Sequence, residues 1–272
     1  MLARILGFID VNQFISPAEL KTAFNLKYYN PYSAFVFGTW ANCILWNGTG
    51  AADDYDLRTY EGTGQPTEHL ARLPGIFSLV RSCFKTDRLK WLRLFRQDGG
   101  VVLPHVDFGG MGEGFERIHV PLVTPPGALH SEEDEVYHMR TGEIWRVEAR
   151  RVHSVSNLSG QARLSLCADF APGVPPESLI HQSVRDAATQ LQPEVIARPA
   201  FSSDDRRALD SLTVLLNEGC WQEVLVRLIS VHFEKNVASS AIFEWFEDLA
   251  AQSHDPQVIE RASDIRKLAL GA

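Results

Sequence analysis

Val152-His-Ser-Val-Ser-Asn157, Leu158-Ser-Gly-Gln161 and Ala162-Arg-Leu-Ser-Leu-Cys-Ala-Asp-Phe170 follow one another as two short runs of strand character about a turn at Gly160. Residues i and i+2 of a strand project from the same face. Leu164, Leu166 and Ala168 therefore share one side of the second run, and Arg163 and Ser165 share the other. Runs of the same texture occupy residues 89–96, 101–108, 116–124 and 143–149, separated by Gly, Pro and Asn signals. Many short strands at close spacing predict a mainly β core of the jelly-roll type over residues 1–185.

Two other textures flank these strands. Residues 67–84 place Leu70, Leu73, Ile76, Phe77, Val80 and Phe84 at helical spacing, so a helix packs on the sheet there, restarted at Pro74-Gly75. Between residues 171 and 199 fall five of the fourteen prolines, the mark of a connection. Beyond it the period becomes 3.6. Ser202 to Asp205 gives an N-cap signal ahead of Leu209, Leu212, Leu215 and Leu216, with Gly219 as the stop, and Asp255-Pro256 opens a last helix. Residues 186–272 thus form a small α-helical C-terminal domain. Its polar residues converge on no helix face, so its expected role is structural or that of an assembly surface, not a second catalytic unit.

The chain has 272 residues with 26 Lys+Arg against 34 Asp+Glu, a net charge of -8. That balance excludes a dedicated nucleic-acid binder, which needs clustered basic residues. The longest uncharged run, residues 28–52, contains Asn30, Pro31, Asn42, Asn47 and Gly48 and reads as core with loops, so no membrane partner is expected. The opening residues lack a signal-peptide pattern. Four scattered cysteines, Cys43, Cys83, Cys167 and Cys220, with no CxxC pair, imply a cytoplasmic protein with free, buried thiols, and the sequons at Asn47 and Asn157 are then chance matches.

On a strand over residues 101–108 the imidazole of His105 and the carboxylate of Asp107 point at one spot. His153 lies on a later strand, and Arg163 follows it by ten residues. Two histidines and one carboxylate form the facial triad of non-haem Fe(II) oxygenases, which leaves positions open for a bidentate cosubstrate and O2. An inward arginine needs an anion. The distal carboxylate of 2-oxoglutarate supplies it to Arg163, with Ser165 adding a hydrogen bond.

Together with His130-Ser-Glu-Glu-Asp134, His138-Met-Arg140, Gly142-Glu-Ile-Trp145 and Arg163-x-Ser165-Leu-Cys-x-Asp-Phe170, these residues resemble the bacterial free-proline hydroxylases, the cis-3 and cis-4 enzymes. Those are Fe(II)/2-oxoglutarate dioxygenases related to the aspartyl/asparaginyl β-hydroxylases. The resemblance implies a double-stranded β-helix fold and hydroxylation of a free cyclic amino acid at a ring carbon. It further implies that Arg117 grips the substrate carboxylate, as the only spare inward positive charge besides Arg93, which makes a second contact, and that His119 sits beside the cosubstrate. Arg146-Val-Glu148 stands where the relatives usually carry an apolar pair and then Asp, so L-proline and L-pipecolic acid both stay open as substrates. The partner implied is a small-molecule amino acid, with a homodimer left open.

The remaining motifs have plainer readings. Residues 130–134 read as a polar loop capping the barrel, and Gly109-Gly-Met-Gly-Glu-Gly114 as a mobile loop over the site. His69, His181, His232 and His254 need no role, and Trp221, Phe233, Trp245 and Phe246 have core spacing. The competing class is a non-catalytic cupin-like binding module, since His153-x3-Asn157 imitates part of a cupin pattern. Asp107 in place of a second histidine, together with Arg163, speaks against it.

Overall fold

The computed structural model describes residues 3–30, 33–58, 60–107 and 115–271. Among them, eleven strands pair antiparallel into one curled sheet. They are β1 (Arg4–Phe8), β2 (Val36–Asn47), β3 (Gln65–Pro66), β4 (Leu89–His105), β5 (Glu116–Val123), β6 (Ala128–Glu132), β7 (Glu135–His138), β8 (Glu143–Val147), β9 (His153–Asn157), β10 (Arg163–Phe170) and β11 (Glu194–Val195). Strand β4 is the spine. β2 runs along one edge, while β10 and β9 lie end to end along the other, against residues 89–97 and 100–105 respectively. From β10 the sheet continues through β5 and β8 to β1, and from β9 through β6 and β7 to β11. Two four-stranded ribbons leaving one long strand and curling give the expected mainly β jelly roll.

The spine corrects one expectation. Residues 89–96 and 101–108 read as two strands because Asp98-Gly99-Gly100 looks like a turn, yet the chain runs straight through as β4. Gly100 (φ +98) faces Gly38 (φ +124) across the β2–β4 ladder, and a Cβ on Gly100 would stand 2.1 Å from the Phe37 carbonyl. The glycines here permit a close backbone approach inside a strand pair rather than a reversal. The strand ends at His105, and Phe108 and residues 109–114 lie outside the described residues.

The helices are α1 (Pro17–Phe24), α2 (Glu68–Ala71), α3 (Pro74–Cys83), α4 (Gln182–Asp186), α5 (Ser203–Asp210), α6 (Trp221–Glu234), α7 (Ala241–Ser253) and α8 (Pro256–Leu270). The restart at Pro74 is as the spacing predicts. Ile76, Leu79 and Val80 of α3 join Leu164, Leu166 and Ala168 of β10 in one core, which accounts for the apolar face of that strand. The capping box at Ser202 forms, with Asp205 N donating to Ser202 Oγ at 3.1 Å and Ser202 N donating to Asp205 Oδ2 at 2.9 Å. α5 nevertheless stops at Asp210 and tightens into a 3-10 turn, Ser211–Leu215, well before Gly219. There the Ser211 and Thr213 hydroxyls donate to the carbonyls of Ala208 and Asp210, drawing the backbone off the α path.

A second core joins α6, α7 and α8 to Val101 and Leu103 of β4 and Val136 of β7, so the helices share apolar packing with the sheet. Phe233 and Phe246 are buried there, with Trp221 and Trp245 packed at its margin. Cys43, Cys83 and Cys167 are buried thiols, but Cys220 is exposed, because it follows the turn at Asn217 and precedes the first turn of α6. Among the described residues no helix is long and apolar enough to cross a membrane.

Candidate active site

A cavity of about 550 Å³ opens between the curled ribbons. His105, at the end of β4, and His153, at the start of β9, are direct cross-strand partners, and their ring centroids lie 4.4 Å apart. The β4–β9 register shifts between Val102 and His105, at Pro104, which has no N–H to give a ladder; such irregularities re-aim a side chain. Asp107 lies beyond the end of the strand, not on it as expected, and is held by two backbone hydrogen bonds, Val106 N to Ala269 O at 3.0 Å and Asp107 N to Ala149 O at 2.9 Å. The convergence survives. Asp107 Oδ1 stands 3.3 Å from His105 Nε2 and 3.9 Å from His153 Nε2, and one ligand atom from each of the three residues falls within 4.8 Å of the others.

The outer contacts orient this set. His105 Nδ1 lies 2.7 Å from the Leu103 carbonyl and His153 Nδ1 lies 3.0 Å from the Arg151 carbonyl. A carbonyl can only accept, so Nδ1 of each ring donates to it, and Nε2 of each ring is the nitrogen turned toward Asp107 and a metal between them. Burial alone would raise the Asp107 carboxyl, but the Arg117 guanidinium, helped by His105 and His153, holds it well below the usual range. Burial, reinforced by neighbouring His105, pushes His153 down to about 4, so it stays neutral near pH 7. Two imidazoles and an ionised carboxylate are the donor types that Fe(II) takes in the facial triad.

Arg163 and Ser165 of β10 enter the same cavity, as the strand alternation predicts. Arg163 is buried, and among the described residues its guanidinium meets no carboxylate and makes no hydrogen bond. Desolvation lowers its pKa to about 10, which leaves it a cation at neutral pH. Asp169, on the same strand, does not pair with Arg163, because Arg93 and Arg117 engage it.

Arg117 and His119 of β5 and Arg93 of β4 also line the cavity, but neither Arg117 nor Arg93 is spare as the sequence reading had it. Asp169, fully buried, lies opposite Arg117 in the β10–β5 register and accepts from Arg117 Nε at 2.7 Å and from Arg93 Nη2 at 2.5 Å. Arg117 also pairs through Nη1 with Asp107 Oδ2. It thus ties a candidate metal ligand to the buried Asp169. Such a network is stable only when every charge is matched, as here two guanidiniums meet two carboxylates.

The polar loop expected over residues 130–134 is only the turn Glu133-Asp134; residues 130–132 belong to β6, where His130 is buried, with its ring 6.2 Å from that of His153, and lines the cavity. Glu132 is fully buried and accepts from Glu148 N at 2.7 Å. The alternation of Ala128, His130 and Glu132 was the available signal, obscured by the charges of Glu133 and Asp134 that follow. Also missed were Trp40, Tyr55, Phe95 and Gln97, a largely aromatic wall, and Leu268 of α8. The sequon side chains are turn braces: Asn47 Nδ2 donates to Ala51 O and Asp54 O, and Asn157 Nδ2 to Gln97 O and Gln161 O.

Comparison with known proteins agrees with this geometry. The family model "Aspartyl/Asparaginyl beta-hydroxylase" matches residues 15–172, and "L-proline 3-hydroxylase, C-terminal" matches residues 177–272. The chain is 31% identical over 278 residues to L-proline cis-3-hydroxylase 1 of Streptomyces sp., covering 100% of this chain and 96% of the relative. It is 25% identical over 272 residues to L-proline cis-4-hydroxylase of Rhizobium meliloti (strain 1021), again covering 100% of this chain and 96% of the relative. Matched over its full length by these relatives, and by the aspartyl/asparaginyl β-hydroxylase model over more than half of it, the chain belongs to the family of the L-proline cis-hydroxylases, among the aspartyl/asparaginyl β-hydroxylases and so the Fe(II)/2-oxoglutarate dioxygenases.

Proposed function

We propose that the protein hydroxylates a ring carbon of a free cyclic amino acid, L-proline or L-pipecolic acid, with Fe(II), 2-oxoglutarate and O2. The observation that carries this is the conjunction, in one cavity, of a three-ligand metal set and a buried arginine with no carboxylate partner among the described residues. His105, Asp107 and His153 would hold the metal, and Arg163 with Ser165 would hold the distal carboxylate of 2-oxoglutarate. When bound, the metal and cosubstrate supply the activation of O2 that a ring C–H bond demands and that no amino-acid side chain provides.

The chain's own residues then bind and orient. Arg117 and Arg93, both held by Asp169 and so not spare charges, line the cavity and would offer N–H donors to the substrate carboxylate. His119, neutral because burial and then Arg117 push its pKa well down, offers a nitrogen beside the cosubstrate. Phe35, Trp40, Tyr55 and Phe95 present apolar surface suited to a small ring and keep water from it. A non-catalytic cupin-like module leaves Arg163 buried without an anion and is disfavoured for that reason. Four unpaired cysteines fit a cytoplasmic setting.

The test is a turnover screen. Protein reconstituted anaerobically with Fe(II) receives O2 and 2-oxoglutarate with proline, pipecolic acid, their carboxamides or acyclic amino acids. Gain of one oxygen by a free cyclic amino acid and not by its amide supports the reading. Equal oxidation of the amide removes the carboxylate clamp, and no oxidation of any amino acid removes the proposal.

A further inference from the structure

The C-terminal helices reach the cavity at one place. The apolar stripe that seats α8 in the helical core is Val258, Ala262, Ile265 and Ala269, at spacings of four, three and four residues, and all four are buried. Leu268 projects off that stripe. It is 44% exposed, contributes nothing to the buried core, and instead lines the cavity that holds the metal set. Its position is fixed from the side of the metal ligands, because the carbonyl of the next residue, Ala269, accepts the N–H of Val106, the residue between His105 and Asp107. Phe35, whose ring lies 5.2 Å from that of His105 and whose carbonyl accepts from Leu103 N, and Val36 line the cavity with Val106 and Leu268. Three distant parts of the chain thus supply one apolar surface beside the ligands.

We infer that the last turn of α8 is a wall of the active site and that Leu268 is a specificity-determining residue, packing against the ring of the bound amino acid. The inference rests on the function proposed above. It assigns the helical region a part in substrate selection: the barrel supplies the metal and anion-binding groups, and the helix bounds the space left for the ring. A half-exposed leucine on a half-open cavity gains apolar burial only when a ligand lies against it, and one methylene of fit is worth about 1–3 kcal/mol, a factor of roughly 10–200 in selectivity.

Two full-length variants test it, Leu268→Trp and Leu268→Ala, each measured for melting temperature, Ni(II) affinity by calorimetry, KM for 2-oxoglutarate and kinetics with proline and pipecolic acid. Leu268→Trp is expected to raise KM for the amino acid about tenfold or more, and Leu268→Ala to shift kcat/KM several-fold toward the larger pipecolic ring. Melting temperature, Ni(II) affinity and KM for 2-oxoglutarate stay at wild-type values in both. Unchanged amino-acid KM and ring preference in both variants overturns the inference and leaves the function standing. Parallel losses toward amino acid, Ni(II) and 2-oxoglutarate also overturn it, since they mark a general disturbance. A wild-type protein that hydroxylates no free amino acid overturns the function first and the inference with it.

Discussion

Arg117 is the residue on which the site's electrostatics turn, because it joins the carboxylate of Asp107 to the buried Asp169 while lining the cavity itself. Its replacement by Gln is therefore expected to do two things at once: raise KM for the amino acid and weaken Ni(II) or Fe(II) binding by about 10- to 100-fold, as loss of an outer-sphere partner does. Calorimetric metal titration separates the two, and wild-type metal affinity in Arg117→Gln would show that Asp107 is oriented without it. Ala in place of His105, Asp107 or His153 is expected to remove a ligand of the proposed metal and abolish turnover, whereas Arg163→Ala is expected to leave metal affinity in place and to weaken 2-oxoglutarate by roughly 2–5 kcal/mol, read as a rise in its KM. That Arg163 and Ser165 turn one way off β10 was legible in the sequence because strand alternation puts i and i+2 on one face, and that rule needs no knowledge of the partner strand. What the rule cannot supply is who faces whom. Asp169 bridging two arginines, and His130 entering the cavity beside His153, depend on the β10–β5 and β6–β9 registers, which are set by the whole sheet.

Strand β4 is the element that brings the two halves of the site together, carrying Arg93 in its β10-paired part and His105 in its β9-paired part. Its continuity depends on Gly100, whose positive φ and contact with the Phe37 carbonyl leave no room for a Cβ. Gly100→Ala is expected to cost about 1–3 kcal/mol of stability from backbone strain, with further loss from the contact, and to shift His105 relative to Arg93. Denaturant melts and metal titration check this; an alanine variant of wild-type stability would mean that the ladder relaxes freely there. A Gly-Gly pair between two strand-like runs is read from sequence as a turn because that is its commoner use. The helices were more legible: the Ser202 capping box and the Asp255-Pro256 start carry their own local chemistry, with Asp255 Oδ1 accepting from Gln257 N at 3.0 Å.

At the scale of the molecule the helical region and the sheet are one packed body, and acid should loosen it from the helical side as well as from the site. His232 of α6 is fully buried, and burial pushes its pKa from 6.5 down to about 4, against the pull of the hydrogen bond to Val237 O. The unfolded chain therefore takes up a proton near pH 6.5 that the folded chain refuses until about pH 4. The contribution of this group to stability is complete above pH 6.5, declines as pH falls, and is lost below about pH 4, about 3 kcal/mol in all. His232→Asn should flatten the corresponding part of the stability-against-pH curve, and an unaltered curve would assign the loss to other groups. The mainly β class, the C-terminal helices and the residue types of the candidate metal set could be read before any coordinates, because periodicity and donor chemistry are local. The contribution of α8 to the cavity could not, since Leu268 and Val106 are brought together only by the folded chain. The central claim, oxidation of a free cyclic amino acid coupled to 2-oxoglutarate at His105, Asp107 and His153, is tested most directly by turnover under isotopically labelled dioxygen. The expected result is one labelled oxygen in the amino acid and one in succinate, in equal amounts, with neither formed by Asp107→Ala. Consumption of 2-oxoglutarate with no label in the amino acid, or labelled product from Asp107→Ala, would contradict it.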